Sequence, residues 1–230
     1  MSTNEIIANA KKASRTHLTE IESKTILEEL GIATTEPRLA KSRDEAISFA
    51  KGIGFPVVLK VSSADIVHKS DSGGVKLGLA NEDELARAYD EIMASIKRNQ
   101  PDAVVEGVSV QKMARPGVEV IIGMSKDPQF GPVLMFGLGG IFVEILKDVS
   151  FRIVPLTKRD AHDMIREIKG YPVLEGYRGQ EPGNVPLLED ILLKVSDFAD
   201  KTPQIKEMDL NPIFAYSQDV VAVDARIILE

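Results

Sequence analysis

The sequence lacks cysteine and tryptophan entirely, and its 230 residues include only three histidines. Without cysteine the chain cannot build a disulfide framework, bind zinc through thiolates or use a cysteine nucleophile. Chemistry near neutral pH that requires an imidazole is therefore limited to His17, His68 and His162. His17 lies in a polar N-terminal region and His162 in a predicted helix, positions that are typical of solvated or structural residues.

Positive charge is in the minority, because 28 lysine and arginine residues stand against 35 aspartate and glutamate residues. The net charge of −7 and the pI near 5.2 argue against a nucleic-acid or anionic-membrane partner. The longest charge-free apolar stretch, Phe130 to Val143, contains glycines and is shorter than the roughly 18 residues of a membrane span. The N-terminus carries mixed charge and no hydrophobic signal region, so we expect a cytoplasmic protein.

One segment, Pro56 to Gly78, reads PVVLKVSSADIVHKSDSGGVKLG and combines a short apolar run with a polar loop. Lys60 ends the apolar run, and a lysine held on a rigid strand suits a phosphate contact. His68 lies in the loop, and a neutral imidazole is a nucleophile that can carry a phosphoryl group covalently. The segment indicates phosphoryl transfer. The alternative is an edge-strand lysine followed by a solvated histidine.

A second polar constellation lies in a predicted hairpin between Lys206 and Asp224. A turn centred on Ser217-Gln218 places Asn211 opposite Asp224, with Cβ atoms about 5 Å apart. Asp209 lies on the same face as Asn211, because side chains two apart on a strand share a face. Hard oxygen ligands of this kind suit Mg²⁺, which completes its coordination with water and substrate phosphates. The alternative is an exposed polar hairpin face.

Local patterns predict an α/β lobe followed by an α+β lobe. Capping-box patterns at Thr19, Ser42 and Asn81 predict helices over about 20–30, 43–53 and 82–98. Strands are predicted at Val57–Val61 and Val75–Leu79, and closely spaced apolar runs after Val108 favour an antiparallel sheet. Two further helices are expected at Lys158–Ile168 and Leu187–Asp200. The expected domains are an N-terminal extension over 1–18, which is a docking helix or a frayed terminus, and lobes over 19–107 and 108–230.

Taken in order, these segments resemble the ATP-grasp domain of the nucleoside-diphosphate-forming acyl-CoA synthetases, in particular the β subunits of archaeal ADP-forming acetyl-CoA synthetases. The resemblance runs from about Glu20 to the C-terminus. The stretches that carry it are KTILEELGI, FPVVLK, HKSDSGGV, PGVEVIIGM, FGPVLMFGLGGIFVE, MDLNPI and AVDARI.

The resemblance implies an ATP-grasp fold in which two lobes clamp a nucleotide, with ATP and ADP as substrates. It implies that a linker presents backbone groups to adenine and that a glycine run allows close approach of phosphates. The residues assigned to the nucleotide in this way are Lys60, Gln111, Lys112, Met113, Glu119, Gly139 and Gly140. Alternatively, Glu119 is an ordinary outward-facing strand residue, and the glycines only bend a strand.

The same resemblance implies that Asn211 and Asp224 hold Mg²⁺. Asp209 stands where succinyl-CoA synthetases, which are similar here, use a glutamate to contact a phosphohistidine. Those enzymes carry a Gly-Arg-Gly-Lys type of loop after the strand lysine, whereas this chain carries DIVHKSDSGG. The difference points to the acetyl-CoA branch, in which a second histidine ferries the phosphoryl group, and His68 matches it.

The resemblance also implies a partner α subunit that carries the acyl-CoA site and its own phosphohistidine, in an α2β2 heteromer. His68 and Asp209 are then the catalytic candidates, and acyl-CoA, ADP and phosphate give the acid, CoA and ATP. Two alternatives stay open. The chain could be a self-sufficient ATP-grasp ligase that joins a carboxylate to an amine or thiol, or a nucleotide-sensing subunit without catalysis.

Overall fold

The computed structural model describes residues 1–66, 69–140, 143 and 145–230, so His68 lies outside the described residues. The chain divides into two compact units, which we call the large and the small unit. The large unit comprises Met1–Thr16, Thr25–Thr34 and Arg115–Glu230, and the small unit comprises His17–Lys24 and Thr35–Ala114.

The small unit is built on an antiparallel sheet with the strand order β1-β4-β2-β3. Helix α2, Glu20–Glu29, begins in this unit. The other elements are β1 (Arg38–Ala40), α3 (Arg43–Ile53), β2 (Val57–Ser62), β3 (Val75–Leu79), α4 (Glu82–Asn99) and β4 (Gly107–Lys112). The predicted helices and strands of this region are thereby confirmed.

Side-chain alternation along β2 determines what each face of this sheet carries. Val57, Leu59 and Val61 belong to the buried apolar core with residues of α3 and α4. Because successive strand residues point to opposite faces, Lys60 lies on the other face. The predicted N-cap of α3 is present, since the Ser42 hydroxyl accepts a hydrogen bond from the Glu45 N–H at 3.2 Å.

The large unit contains an antiparallel sheet with the order β10-β8-β5-β6-β7, and β9 also pairs with β8. Its strands are β5 (Val118–Asp127), β6 (Gly131–Leu138), β7 (Val149–Ile153), β8 (Ile205–Ala215), β9 (Val220–Ala222) and β10 (Arg226–Leu229). Its helices are α1 (Thr3–Lys12), α5 (Lys158–Arg166), α6 (Tyr171–Leu174) and α7 (Val185–Lys201). Helices α5 and α7 pack against each other and against β6, β7 and β8. The antiparallel sheet and both helices predicted here are confirmed.

The two units differ in two ways from the expected domains. The sequence suggested a boundary at 107/108, whereas β4 lies in the small unit because it pairs with both β1 and β2. The N-terminal segment is a capped helix of the large unit rather than a frayed terminus, since Ile6 is only 1% exposed and Ile7 is buried. Among helices of the described residues, none has the length and apolar character needed to cross a bilayer.

Candidate functional site

Lys60, the predicted phosphate contact, is nearly buried in the small unit. Its side chain is 6% exposed, and its ammonium group donates to Glu20 Oε1 at 2.8 Å. Glu20 is the first residue of α2 and is itself buried. The structure therefore pairs the predicted lysine with a carboxylate that the sequence analysis did not single out.

Two further lysines share the Glu20 carboxylate, and we call Glu20, Lys24, Lys60 and Lys69 the lysine cluster. Lys24 Nζ lies 3.0 Å from Glu20 Oε1, and Lys69 Nζ lies 2.9 Å from Glu20 Oε2. Burial raises the pKa of Glu20, but the three ammonium groups lower it more, so its pKa is well below the ordinary value. One carboxylate among three ammonium groups leaves an excess of positive charge, which suits an anionic ligand.

Gln111, one of the three predicted adenine contacts, joins the lysine cluster through its side chain. Its Nε2 donates to Glu20 Oε1 at 3.1 Å, and its Oε1 accepts from Lys24 Nζ at 2.6 Å. Lys112 Nζ donates to the carbonyl of Gly54 at 2.7 Å, and the Met113 N–H donates to the Pro56 carbonyl. The structure thus places all three residues at the end of β4, with the Met113 N–H already bonded within the small unit.

In the large unit, Glu119 and the predicted phosphate glycines lie together. The Gly139 N–H donates to the Glu119 carbonyl at 2.8 Å. A Cβ added at Gly139 would lie 3.0 Å from Glu119 Cβ, and one added at Gly140 would lie 3.3 Å from Glu119 Oε2. A side chain at either position would require Glu119 to shift by a few tenths of an ångström, and Gly140 also has a φ of +59°, which favours glycine.

The hairpin that carries the predicted metal ligands has the predicted register. In it, β8 pairs with β9 through Ile213 and Ala222, and with β10 through Asp209 and Arg226. The pairing of β8 with β9 and its pairing with β10 therefore follow one continuous register. Asn211 and Asp224 lie between these two pairings. One amide oxygen and nearby carboxylate oxygens are a donor set that Mg²⁺ accepts. In the described part of the chain, no three histidine, cysteine or acidic side chains cluster around a common metal position.

Asp209 lies beside these residues in a partly buried position. Burial raises its pKa, Arg226 lowers it, and Asp224 and Glu207 raise it, so that the pKa of Asp209 is above its ordinary value. The Arg226 guanidinium lies 3.5 Å from Asp209 Oδ2. Asp209 and Arg226 line a pocket of about 230 Å³ together with residues of β5, β6 and β7, among them Met135 and Phe151.

Sequence reasoning missed Glu20, Lys24, Lys69 and Arg226. A signal existed for the first two, because Glu20 and Lys24 are four residues apart and share a helix face. Arg226 lies opposite Asp209 in the register that the turn already implied. His68 is outside the described residues, so its assignment stays a prediction. The assigned residues fall into two groups, with Lys60, Gln111, Lys112 and Met113 in the small unit and Glu119, Gly139, Gly140, Asp209, Asn211 and Asp224 in the large unit.

Comparison with known proteins gives matches along almost the whole chain. A family model described as an ATP-grasp domain matches residues 9–229. The chain is 53% identical over 225 residues to the acetate–CoA ligase (ADP-forming) I subunit beta of Pyrococcus furiosus, covering 98% of this chain and 97% of that protein. It is 49% identical over 204 residues to the acetate–CoA ligase (ADP-forming) I of Archaeoglobus fulgidus, covering 89% of this chain and 30% of that protein.

A solved structure of the Candidatus Korarchaeum cryptofilum acetyl-coenzyme A synthetase 1 also matches, with a TM-score of 0.87 and 46% identity. The match covers 99% of this chain and 100% of that chain. That protein is in complex with coenzyme A and Mg-AMPPCP, with its phosphohistidine segment pointing towards the nucleotide-binding site. These matches confirm the fold and the resemblance that the sequence motifs predicted.

Proposed function

The chain belongs to the ATP-grasp family, and within it we propose that it is the nucleotide-binding β subunit of an ADP-forming acyl-CoA synthetase, with acetyl-CoA as the expected substrate. The observation that carries the proposal is the hairpin register. It supports neighbouring positions for Asn211 and Asp224, because β8 keeps one register with β9 and β10 on both sides of these residues, and Asp209 lies in the same strand as Asn211. A Mg-nucleotide site needs such oxygen ligands close together. The Mg-AMPPCP bound to the Korarchaeum protein supports the same ligand class here.

In the proposed reaction, the phosphoryl group moves from a histidine of the partner to His68 and from His68 to ADP. In the second step the P–N bond to the imidazole breaks, and a bond forms between the phosphorus and a β-phosphate oxygen of ADP. Lys60 offsets the negative charge of the phosphates, and Asp209 accepts a hydrogen bond from the imidazole N–H of a phosphohistidine. Asn211 and Asp224 would hold Mg²⁺, which neutralises phosphate charge when bound.

Gln111, Lys112 and Met113 are proposed to flank adenine, and Glu119, Gly139 and Gly140 are proposed to lie near the ribose and phosphates. The support for the second group is its packing, since the backbone of Gly139 and Gly140 approaches Glu119 closely, as glycine allows. A partner α subunit would supply the acyl-CoA site and the first phosphohistidine. The Pyrococcus relative is a subunit beta, which supports such a partner, and an α2β2 assembly is a prediction.

Phosphorylation of the isolated chain by Mg-ATP tests this proposal. We expect mass spectrometry, under conditions that preserve acid-labile phosphohistidine, to find one phosphoryl group on His68. His68→Ala should lose the label and retain nucleotide binding, because the phosphate and metal groups lie elsewhere in the chain.

The matched control is His162→Ala, which removes a half-exposed histidine of α5 that lies 3.2 Å from Glu189 and should keep the label. A label on His17 or His162 would overturn the assignment of His68 but leave the chemistry. An unlabelled chain that hydrolyses ATP when a small amine or thiol is added would favour the self-sufficient ligase. Nucleotide binding without any label would favour a sensing subunit.

A further inference from the structure

Glu20 is a buried charged residue that no step of the proposed reaction uses. We propose that Glu20 is a positioning residue for Lys60, whose carboxylate gathers three ammonium groups into one site for the phosphates of a nucleoside diphosphate or triphosphate. The inference rests on the proposed function, in which Lys60 contacts phosphate. It adds Glu20, Lys24 and Lys69 to the residues on which nucleotide binding depends.

The two carboxylate oxygens of Glu20 link lysines from separate parts of the small unit. Oε1 accepts from Lys60, which is on the buried strand β2, and Oε2 accepts from Lys69, which precedes β3. Charge-assisted hydrogen bonds of 2.8 and 2.9 Å are short enough to fix both ammonium groups relative to each other. An ammonium group has three N–H donors, so the bond from Lys69 to Glu20 is compatible with a bond to a phosphate oxygen.

Glu20 is itself held in place by the side chains of Lys24 and Gln111. Lys24 is completely buried and donates to Glu20 Oε1, to Thr35 Oγ1 at 2.8 Å and to Gln111 Oε1. Gln111 in turn donates to Glu20. These bonds fix the orientation of the carboxylate, because rotating it would break the buried bonds that Lys24 and Gln111 make to Glu20.

Charge explains why a carboxylate is needed at this position. Three ammonium groups without a counter-ion would repel one another and would favour their neutral forms in a buried site. The carboxylate of Glu20 reduces that penalty, and the four residues of the lysine cluster together carry two more positive than negative charges. This excess is complementary to phosphate groups, so the arrangement keeps Lys60 charged and directed before the nucleotide arrives.

The test measures the affinities of the full chain for Mg-ADP and for adenosine, which lacks phosphates, by calorimetry. Glu20→Gln should weaken Mg-ADP binding about tenfold or more and leave adenosine binding unchanged, because the residues beside adenine are expected to contact it through backbone groups, whereas Gln111 bonds Glu20 through its side chain. The same substitution in a Lys60→Met background should weaken Mg-ADP binding less than it does in the unchanged chain, since part of the effect of Glu20 passes through Lys60. A merely structural role would lower both affinities together.

Glu91→Gln is the matched control, because Glu91 also pairs with a lysine of the small unit, Lys76, but in an exposed position. It should bind Mg-ADP as the unchanged chain does. Mg-ADP binding by Glu20→Gln that is unchanged or tighter would overturn the inference, as would an equal loss for adenosine. If Lys60→Met alone leaves Mg-ADP binding unchanged, the assignment of Lys60 in the proposed function fails instead.

A second variant covers the case in which Glu20→Gln does not fold. Glu20→Asp keeps the negative charge but shortens the side chain by one methylene, so one carboxylate can no longer reach both Lys60 and Lys69. With folding verified by circular dichroism, we expect a smaller loss of Mg-ADP affinity and unchanged adenosine affinity. Mg-ADP binding equal to that of the unchanged chain would contradict the positioning role.

Discussion

The lysine cluster shows, at the scale of single residues, how neighbours determine a protonation state. Glu20 is only 6% exposed, and burial by itself would favour its neutral form. The ammonium groups of Lys24, Lys60 and Lys69 outweigh burial and lower the pKa of Glu20. The folded chain therefore keeps this carboxylate ionised at a pH at which the unfolded chain protonates it.

This difference predicts how stability depends on pH. At pH 7, Glu20→Gln should lower the free energy of unfolding by about 3–5 kcal/mol, because buried lysines lose their counter-ion. The stabilisation by Glu20 is present above its ordinary pKa of 4.5 and is lost as the pH falls towards the lower folded-state pKa. In urea unfolding, the difference in the free energy of unfolding between the unchanged chain and Glu20→Gln should therefore be smaller at acidic pH than at pH 7. An equal difference at both pH values would contradict this prediction.

At the scale of elements, short-range patterns predicted most of the structure. Capping residues predicted α3 and α4, and the turn at Ser217-Gln218 predicted the register of β8, because the determining residues are close in sequence. The link between Glu20 and Lys60 could not be read in this way, since it joins residues 40 apart. The spacing of Glu20 and Lys24 indicates a pair within one helix, and an acidic residue in the first turn is an ordinary pattern, so neither indicates the bond to Lys60.

The contact between the end of β6 and Glu119 gives a prediction for two glycines with positive φ. Gly140→Ala and Gly131→Ala should each cost about 1–2 kcal/mol of stability through the left-handed backbone. A Cβ at Gly131 meets nothing within 4 Å, whereas one at Gly140 lies against the Glu119 carboxylate. Gly140→Ala should therefore also weaken Mg-ADP binding several-fold, and Gly131→Ala should not. Equal Mg-ADP affinities, measured by calorimetry, would argue against a nucleotide beside Glu119.

At the scale of the whole molecule, the sequence predicted two lobes but placed their boundary incorrectly. The apolar run of β4 resembles the strands that follow it, so sequence alone grouped it with β5. Only its pairing with β1 and β2 assigns it to the small unit. The N-terminal helix likewise belongs to the large unit through side chains such as Ile6. Its Ser2-x-x-Glu5 capping box is a local signal for a helix, but the unit against which the helix packs depends on tertiary structure.

The relatives differ in how much of the enzyme one chain contains, and this leads to a prediction about the partner. This chain covers 97% of the Pyrococcus subunit but only 30% of the single-chain Archaeoglobus ligase. The proposed acyl-CoA site would then lie in a region that corresponds to the rest of the longer protein. We expect the isolated chain to take a phosphoryl group from Mg-ATP but to form no ATP from acetyl-CoA, ADP and phosphate.

Adding the α subunit should restore ATP formation, measured by a coupled luciferase assay. The same complex with His68→Ala should bind Mg-ADP but form no ATP, because the donor histidine and the nucleotide would no longer be connected by a phosphoryl carrier. The His162→Ala complex should retain activity and serves as the control. ATP formation by the isolated chain would contradict the proposal that the partner supplies the acyl-CoA site. Full activity of the His68→Ala complex would require direct transfer of the phosphoryl group from the partner to ADP.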